Sequence, residues 1–130
     1  MVNRNKDKAL AVADEIRAKW PSVKISLDYP TTNVDLVLNA TSLGLKESDP
    51  LPFDSGRFAL NRAKACYDMI YRPAETELLR RARAAGLRAA NGLSMLLYQG
   101  AKALEIWTER AAPVEVMRAA LRKNVYGSTD

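Results

Sequence analysis

The chain has 130 residues, a formal charge of +5, 48% apolar and 27% charged residues; these are the proportions of one ordinary soluble globular domain, and nothing in them argues for disorder. A single cysteine, Cys66, and no histidine exclude an internal disulfide framework, a triad with an imidazole base and most zinc sites. No run approaches the ~18 apolar residues of a membrane span, and the polar stretch Asn3 to Lys8 is unlike a secretory leader, so the expected location is cytoplasmic.

In chain order, the first predicted helix follows Asn5 and carries Ala9, Ala13, Ile16 and Trp20 on one apolar face, with Pro21 ending it. A short alternating strand is expected at Lys24 to Leu27, then a loop from Tyr29 to Asn33. Val34 to Ala40 is nearly all apolar, as in a parallel strand buried on both faces. It runs into Thr41-Ser42-Leu43-Gly44, where the glycine can take positive φ. The connection from Lys46 to Phe53 holds Pro50 and Pro52 and resists regular structure, and a weak helix or turn is expected over Ser55 to Asn61.

The next stretch, Lys64 to Pro73, predicts a buried strand ending in a polar corner, because a residue before proline is pushed to extended geometry. Cys66 lies within it as a small hydrophobe. Thr76 is placed to cap a helix with Leu78, Leu79, Ala82 and Ala85 inward, and Gly86 to stop it. A strand at Leu87 to Ala90 completes a βαβ unit, so Met69 and Tyr71 fall at a strand's carboxyl end, where open parallel sheets bind ligands. A long helix from about Leu93 to Thr108 shows the stripe Leu93, Leu96, Leu97, Gly100, Ala103, Leu104 and Trp107, with Gln99 at its edge. Pro113 suits the first turn of a last helix bearing Val114, Met117 and Leu121, and Tyr126 to Asp130 are expected to fray. The pattern as a whole predicts α/β with a mostly parallel sheet.

Four motifs, in order, resemble one family, shikimate dehydrogenase, and together they extend over essentially the whole chain. Asn3-Arg4-Asn5 with Lys8 resembles its Asn-Arg-Thr cofactor loop, and Asn39-Ala40-Thr41-Ser42-Leu43-Gly44-Leu45 its second loop. Tyr67-Asp68-Met69-Ile70-Tyr71 with Pro73, Glu75 and Thr76 resembles its strand-and-corner motif. Asn91-Gly92-Leu93-Ser94-Met95-Leu96-Leu97-Tyr98-Gln99 resembles its Asn-Gly-x-x-Met-Leu-x-x-Gln helix start. Asn5 stands where the family has threonine, and Ser94 where glycine is common.

The resemblance implies NADP as cofactor and an incomplete Rossmann-like sheet flanked by helices, followed by two C-terminal helices. It divides the chain into a partial NADP-binding domain at 1–92 and helices at 93–130 that pack back toward a substrate domain. It implies that Asn3, Arg4, Asn5 and Lys8 hold the 2′-phosphate end, Arg4 by charge-assisted bonds, and that Thr41, Met69 and Gly92 line the path to the nicotinamide. It implies that Tyr71 and Gln99 contact shikimate or 3-dehydroshikimate.

The family's catalytic lysine and aspartate belong to that substrate domain, and its glycine-rich turn to the first Rossmann βα unit. None of the six glycines forms a Gly-x-Gly-x-x-Gly pattern, so no residue of the chain is assigned a catalytic role. The expectation is a C-terminal piece, inactive by itself, with uncovered strand edges. Quinate/shikimate dehydrogenase shares these motifs and is an alternative reading. A third is a non-catalytic module using the basic residues Arg80, Arg81, Arg83 and Arg88; without interleaved aromatics these read as a solvated helix face, and neither nucleic acid nor membrane is the expected partner. A homodimer is left open.

Overall fold

A computed structural model describes residues 1–127. Its centre is a three-stranded parallel sheet in the order β1 (Val34–Asn39), β2 (Ala63–Asp68), β3 (Arg88–Asn91). The pairing sets Val37 beside Cys66 and Asn39 beside Asp68, and carries Cys66 to Ala89 and Asp68 to Asn91. Because side chains alternate across a strand, these residues share one face. Helix α2 (Glu77–Ala84) covers it. The core is Cys66, Leu78, Leu79, Ala82 and Leu87, with Val37, Leu51 and Phe53 packed against it.

Helix α2 starts and stops as its sequence dictates. Thr76 Oγ1 accepts from Leu79 N at 3.3 Å, and Gly86, at φ 81°, takes the left-handed turn that ends it. Helix α1 (Lys6–Lys19) is capped by Asn5, whose Oδ1 accepts from Lys8 N at 3.0 Å. Helices α3 (Leu93–Thr108) and α4 (Val114–Tyr126) pack on each other. Among the described residues, no helix is long and apolar enough to cross a membrane.

Several expectations are corrected. Residues 24–27 form no strand: a parallel strand needs a laddered neighbour, and this segment is held only by bonds such as the Met1 ammonium to Ser26 O at 2.6 Å and Arg17 Nη2 to Ile25 O at 3.1 Å. Strand β1 is not covered on both faces; Leu36 and Leu38, on the side away from α2, are 53% and 55% exposed. Trp20 and Trp107, placed on buried stripes by spacing, are 56% and 80% exposed, each in or next to the last turn of its helix. Ala85 caps α2 from outside and is exposed. Pro113 is the residue before α4 rather than within its first turn. Tyr126 ends α4 with its hydroxyl accepting from Asn91 Nδ2 at 2.8 Å, which holds a residue expected to fray; the expectation for 128–130 lies outside the described residues.

Candidate functional site at the carboxyl ends of the strands

The three strands end on a buried polar cluster. Asn39, Asp68 and Thr76 are almost wholly buried, and buried polar groups persist only when hydrogen-bonded. Asp68 Oδ1 accepts from Asn39 Nδ2 at 3.0 Å and from Ile70 N at 3.1 Å, and its Oδ2 accepts from Thr76 Oγ1 at 2.6 Å. Asn39 Oδ1 accepts from Thr41 N at 3.0 Å and Thr41 Oγ1 at 2.8 Å, while its Nδ2 also donates to Leu43 O. One carboxylate therefore fixes the end of β1, the corner after β2 and the start of α2. Gly44, at φ 114°, lets the loop turn back beneath Ile70 and Thr76.

Beyond the strand ends the ladder continues through single bonds, Met69 N to Asn39 O at 3.0 Å and Gly92 N to Ile70 O at 3.2 Å. Gly92 packs so tightly here that a Cβ would lie 2.0 Å from Met69 O. Asn91 Nδ2 donates to Ala74 O at 2.8 Å, tying β3 to the corner, where the Arg72–Pro73 peptide is cis.

Over this frame opens a cleft of about 580 Å³ that gathers Thr41, Met69 and Tyr71, with Arg72, Leu121 and Asn124 among its other walls. Gly92 is not on its surface but sets Met69 from behind. The Tyr71 hydroxyl has no hydrogen-bond partner among the described residues. Sequence reasoning did not place Arg72 or the α4 residues Leu121 and Asn124 at the site. Arg72 could have been found from its place in the proline corner, but nothing in the sequence says that α4 folds back over the strand ends.

The other named residues stand apart from the cleft. Asn3, Arg4, Asn5 and Lys8 are exposed at the start of α1, where Asn3 Oδ1 accepts from Asn5 N at 2.9 Å. The Arg4 guanidinium and Lys8 ammonium have no ion-pair or hydrogen-bond partner among the described residues, so both are free to meet an anion. Gln99 is exposed on α3, on the turn after Leu96, itself a cleft residue. The basic cluster of α2 is largely neutralised: Arg80 and Arg81 pair with Glu77, and Arg83 with Glu75. Glu77 is correspondingly held below the usual carboxylate range, chiefly by the Arg81 hydrogen bond.

A parallel sheet with a helical crossover, polar loops at its carboxyl ends and a cleft above them is the Rossmann-like, nucleotide-binding class of α/β architecture. The comparisons then narrow it. The family profile described as shikimate 5′-dehydrogenase C-terminal domain matches residues 92–122. The shikimate dehydrogenase (NADP(+)) of Methanothrix thermoacetophila is 41% identical over 122 residues, which cover 94% of this chain and 44% of that protein. A crystal structure of a shikimate dehydrogenase in complex with NADP+ superposes with a TM-score of 0.81 at 33% identity, covering 95% of this chain and 45% of that one. The Thermus thermophilus enzyme, solved with NADP(H) and shikimate, gives a TM-score of 0.73 at 33% identity over 94% of this chain and 44% of that one. The chain belongs to the shikimate dehydrogenase family, to its C-terminal part, and spans a little under half the length of the curated relatives it matches.

Proposed function

We propose that the chain supplies the NADP-selecting surface and one wall of the substrate cleft of an NADP-dependent shikimate dehydrogenase, an oxidoreductase of aromatic amino acid biosynthesis acting in the cytoplasm. The observation that carries this reading is the cleft at the strand ends, where Thr41, Met69 and Tyr71 meet in a family whose solved members hold NADP and shikimate. Residues 1–92 act as the partial cofactor-binding unit, and the helices of 93–130 face the substrate domain.

The donor set fits the cofactor. Arg4 and Lys8, with no acidic neighbour bonded to them, suit the dianionic 2′-phosphate; Asn3 and Asn5 shape the loop that presents them. Thr41 offers a hydroxyl oriented by Asn39. Met69 gives a soft apolar wall that keeps water from the nicotinamide end, and Gly92 permits the close approach that places it. NADPH, when bound, supplies the hydride that reduces 3-dehydroshikimate. The unpartnered Tyr71 hydroxyl and the Gln99 amide are the groups proposed to bind the substrate's hydroxyls and orient the reacting carbon. No residue of this chain is assigned the proton transfer.

The test is a chimaera in which these 130 residues replace the matching stretch of the Methanothrix thermoacetophila enzyme. Tyr71→Phe is expected to raise KM for shikimate at least about fivefold, the worth of one lost hydrogen bond of about 1 kcal/mol, with KM for NADP unchanged. An inactive chimaera that is nonetheless folded would contradict the proposal.

A further inference from the structure

Asn91 is the last residue of β3, where it pairs beside Asp68, and its side chain reaches three other elements. Its Nδ2 carries two N–H donors. One goes to Ala74 O at 2.8 Å, in the proline corner that follows Tyr71, and the other to the Tyr126 hydroxyl at 2.8 Å, at the end of α4. Its Oδ1 accepts from Leu93 N at 3.1 Å, at the start of α3. Exchanging the amide oxygen and nitrogen would break the bonds to Ala74 and Leu93, so a single orientation ties the sheet, the corner and the end of α4 together.

The consequence falls on the cleft. Leu121, Asn124 and Val125, near the end of α4, line it together with Tyr71 and Arg72 at the corner. Neither Tyr126 nor Asn91 lines it; Tyr126 directly follows Val125, and Gly127, at φ 73°, ends the helix just beyond. A helix end is the part that opens most easily, so a side-chain bond there governs how long this wall stays in place. A different bond of α4, from Arg118 Nη2 to the Tyr98 hydroxyl at 3.2 Å, runs to α3 on exposed surface and does not reach the strand ends. We propose that Tyr126 is a positioning residue of the cleft: through Asn91 it seats the last turn of α4 against the corner that carries Tyr71, and so sets the fit of the small hydroxylated acid bound there. The substrate in this inference rests on the proposed function; the seating of α4 rests on the geometry alone.

The test compares Tyr126→Phe, which removes one oxygen and keeps the ring, with Tyr98→Phe, which removes the surface bond between α3 and α4. In the 130-residue chain, Tyr126→Phe is expected to speed amide exchange over residues 121–126 at least about fivefold, the worth of one lost hydrogen bond. In the chimaeric enzyme the same variant is expected to raise KM for shikimate at least about threefold, with kcat and KM for NADP unchanged, while Tyr98→Phe moves none of the three. Unchanged exchange would overturn the inference, as would an active chimaera whose KM for shikimate stays put or rises equally with Tyr98→Phe. A folded but inactive chimaera, with exchange still quickened by Tyr126→Phe, would keep the seating of α4 and remove the proposed activity.

Discussion

At the scale of single residues, the site is held by buried groups beneath the cleft. Asp68 is the clearest: a carboxylate inside an apolar run, kept there because Asn39, Ile70 and Thr76 all donate to it. Its chemical oddity was visible in the sequence; its partners, up to 29 residues away, were not, since spacing says nothing about long-range contact. Gly92 is a second such residue. Its φ of −76° is open to any amino acid, so the reason for glycine is the 2.0 Å approach to Met69 O, which no sequence pattern reveals. Gly92→Ala is expected to cost about 3 kcal/mol or more, measured as a lowered urea midpoint, whereas an unchanged midpoint would mean that the strand ends yield freely. Cys66 behaves as its position in an apolar run implied. Burial, aided by the Asp68 charge, pushes its thiol from 9.0 up to about 11. Because the folded value lies above the unfolded one, the protonated thiol's contribution to stability is full below pH 9.0 and is lost as pH rises through about 11. At about pH 8, below both values, a thiol reagent should label the native chain far more slowly than the chain in denaturant; equal rates would place Cys66 at the surface.

At the scale of elements, legibility followed local signals. Helix α3 lies where its periodic stripe put it, and α2 sits between its expected cap and stop, because capping and periodicity are local physics. The errors fall where an element's fate depends on a neighbour. The alternation at 24–27 promised a strand, but without a ladder partner it stays irregular. The apolar run of β1 promised two covered faces, and only the α2 side is covered. Thr76 shows how one residue joins local and distant terms, since its hydroxyl caps α2 and also satisfies Asp68. Thr76→Ala is therefore expected to destabilise by about 2–4 kcal/mol, a lost cap plus a buried unpaired carboxylate oxygen. Thr76→Ser keeps the oxygen and should recover most of that loss in the same denaturation experiment. If both variants were equally unstable, the methyl group and not the hydroxyl would be the stabilising part.

At the scale of the whole molecule, charge and topology carry the functional reading. The three arginines of α2 are each paired, with Glu75 or Glu77, whereas Arg4 and Lys8 at the head of α1 have no such partner among the described residues. The cleft lies at the opposite chemical extreme, walled by Met69, Leu96 and Leu121 with a few polar groups between them. Open cations at one place and an apolar, hydroxyl-bearing pocket at another suit the proposed dinucleotide-dependent reductase. The motifs named Thr41, Met69 and Tyr71, which the cleft gathers, but not the closure of α4 over the strand ends, where Asn91 bonds Tyr126 and the helices pack on each other.

The most direct test of the account compares kcat/KM for NADP and for NAD in the chimaeric enzyme before and after Arg4→Ala. Loss of a charge-assisted contact worth about 1.5–3 kcal/mol predicts that kcat/KM with NADP falls at least about tenfold while the value with NAD changes little. An equal fall with both cofactors, or none with either, would contradict the assignment of Arg4 to the 2′-phosphate and with it the reading of this chain as the part that chooses the cofactor.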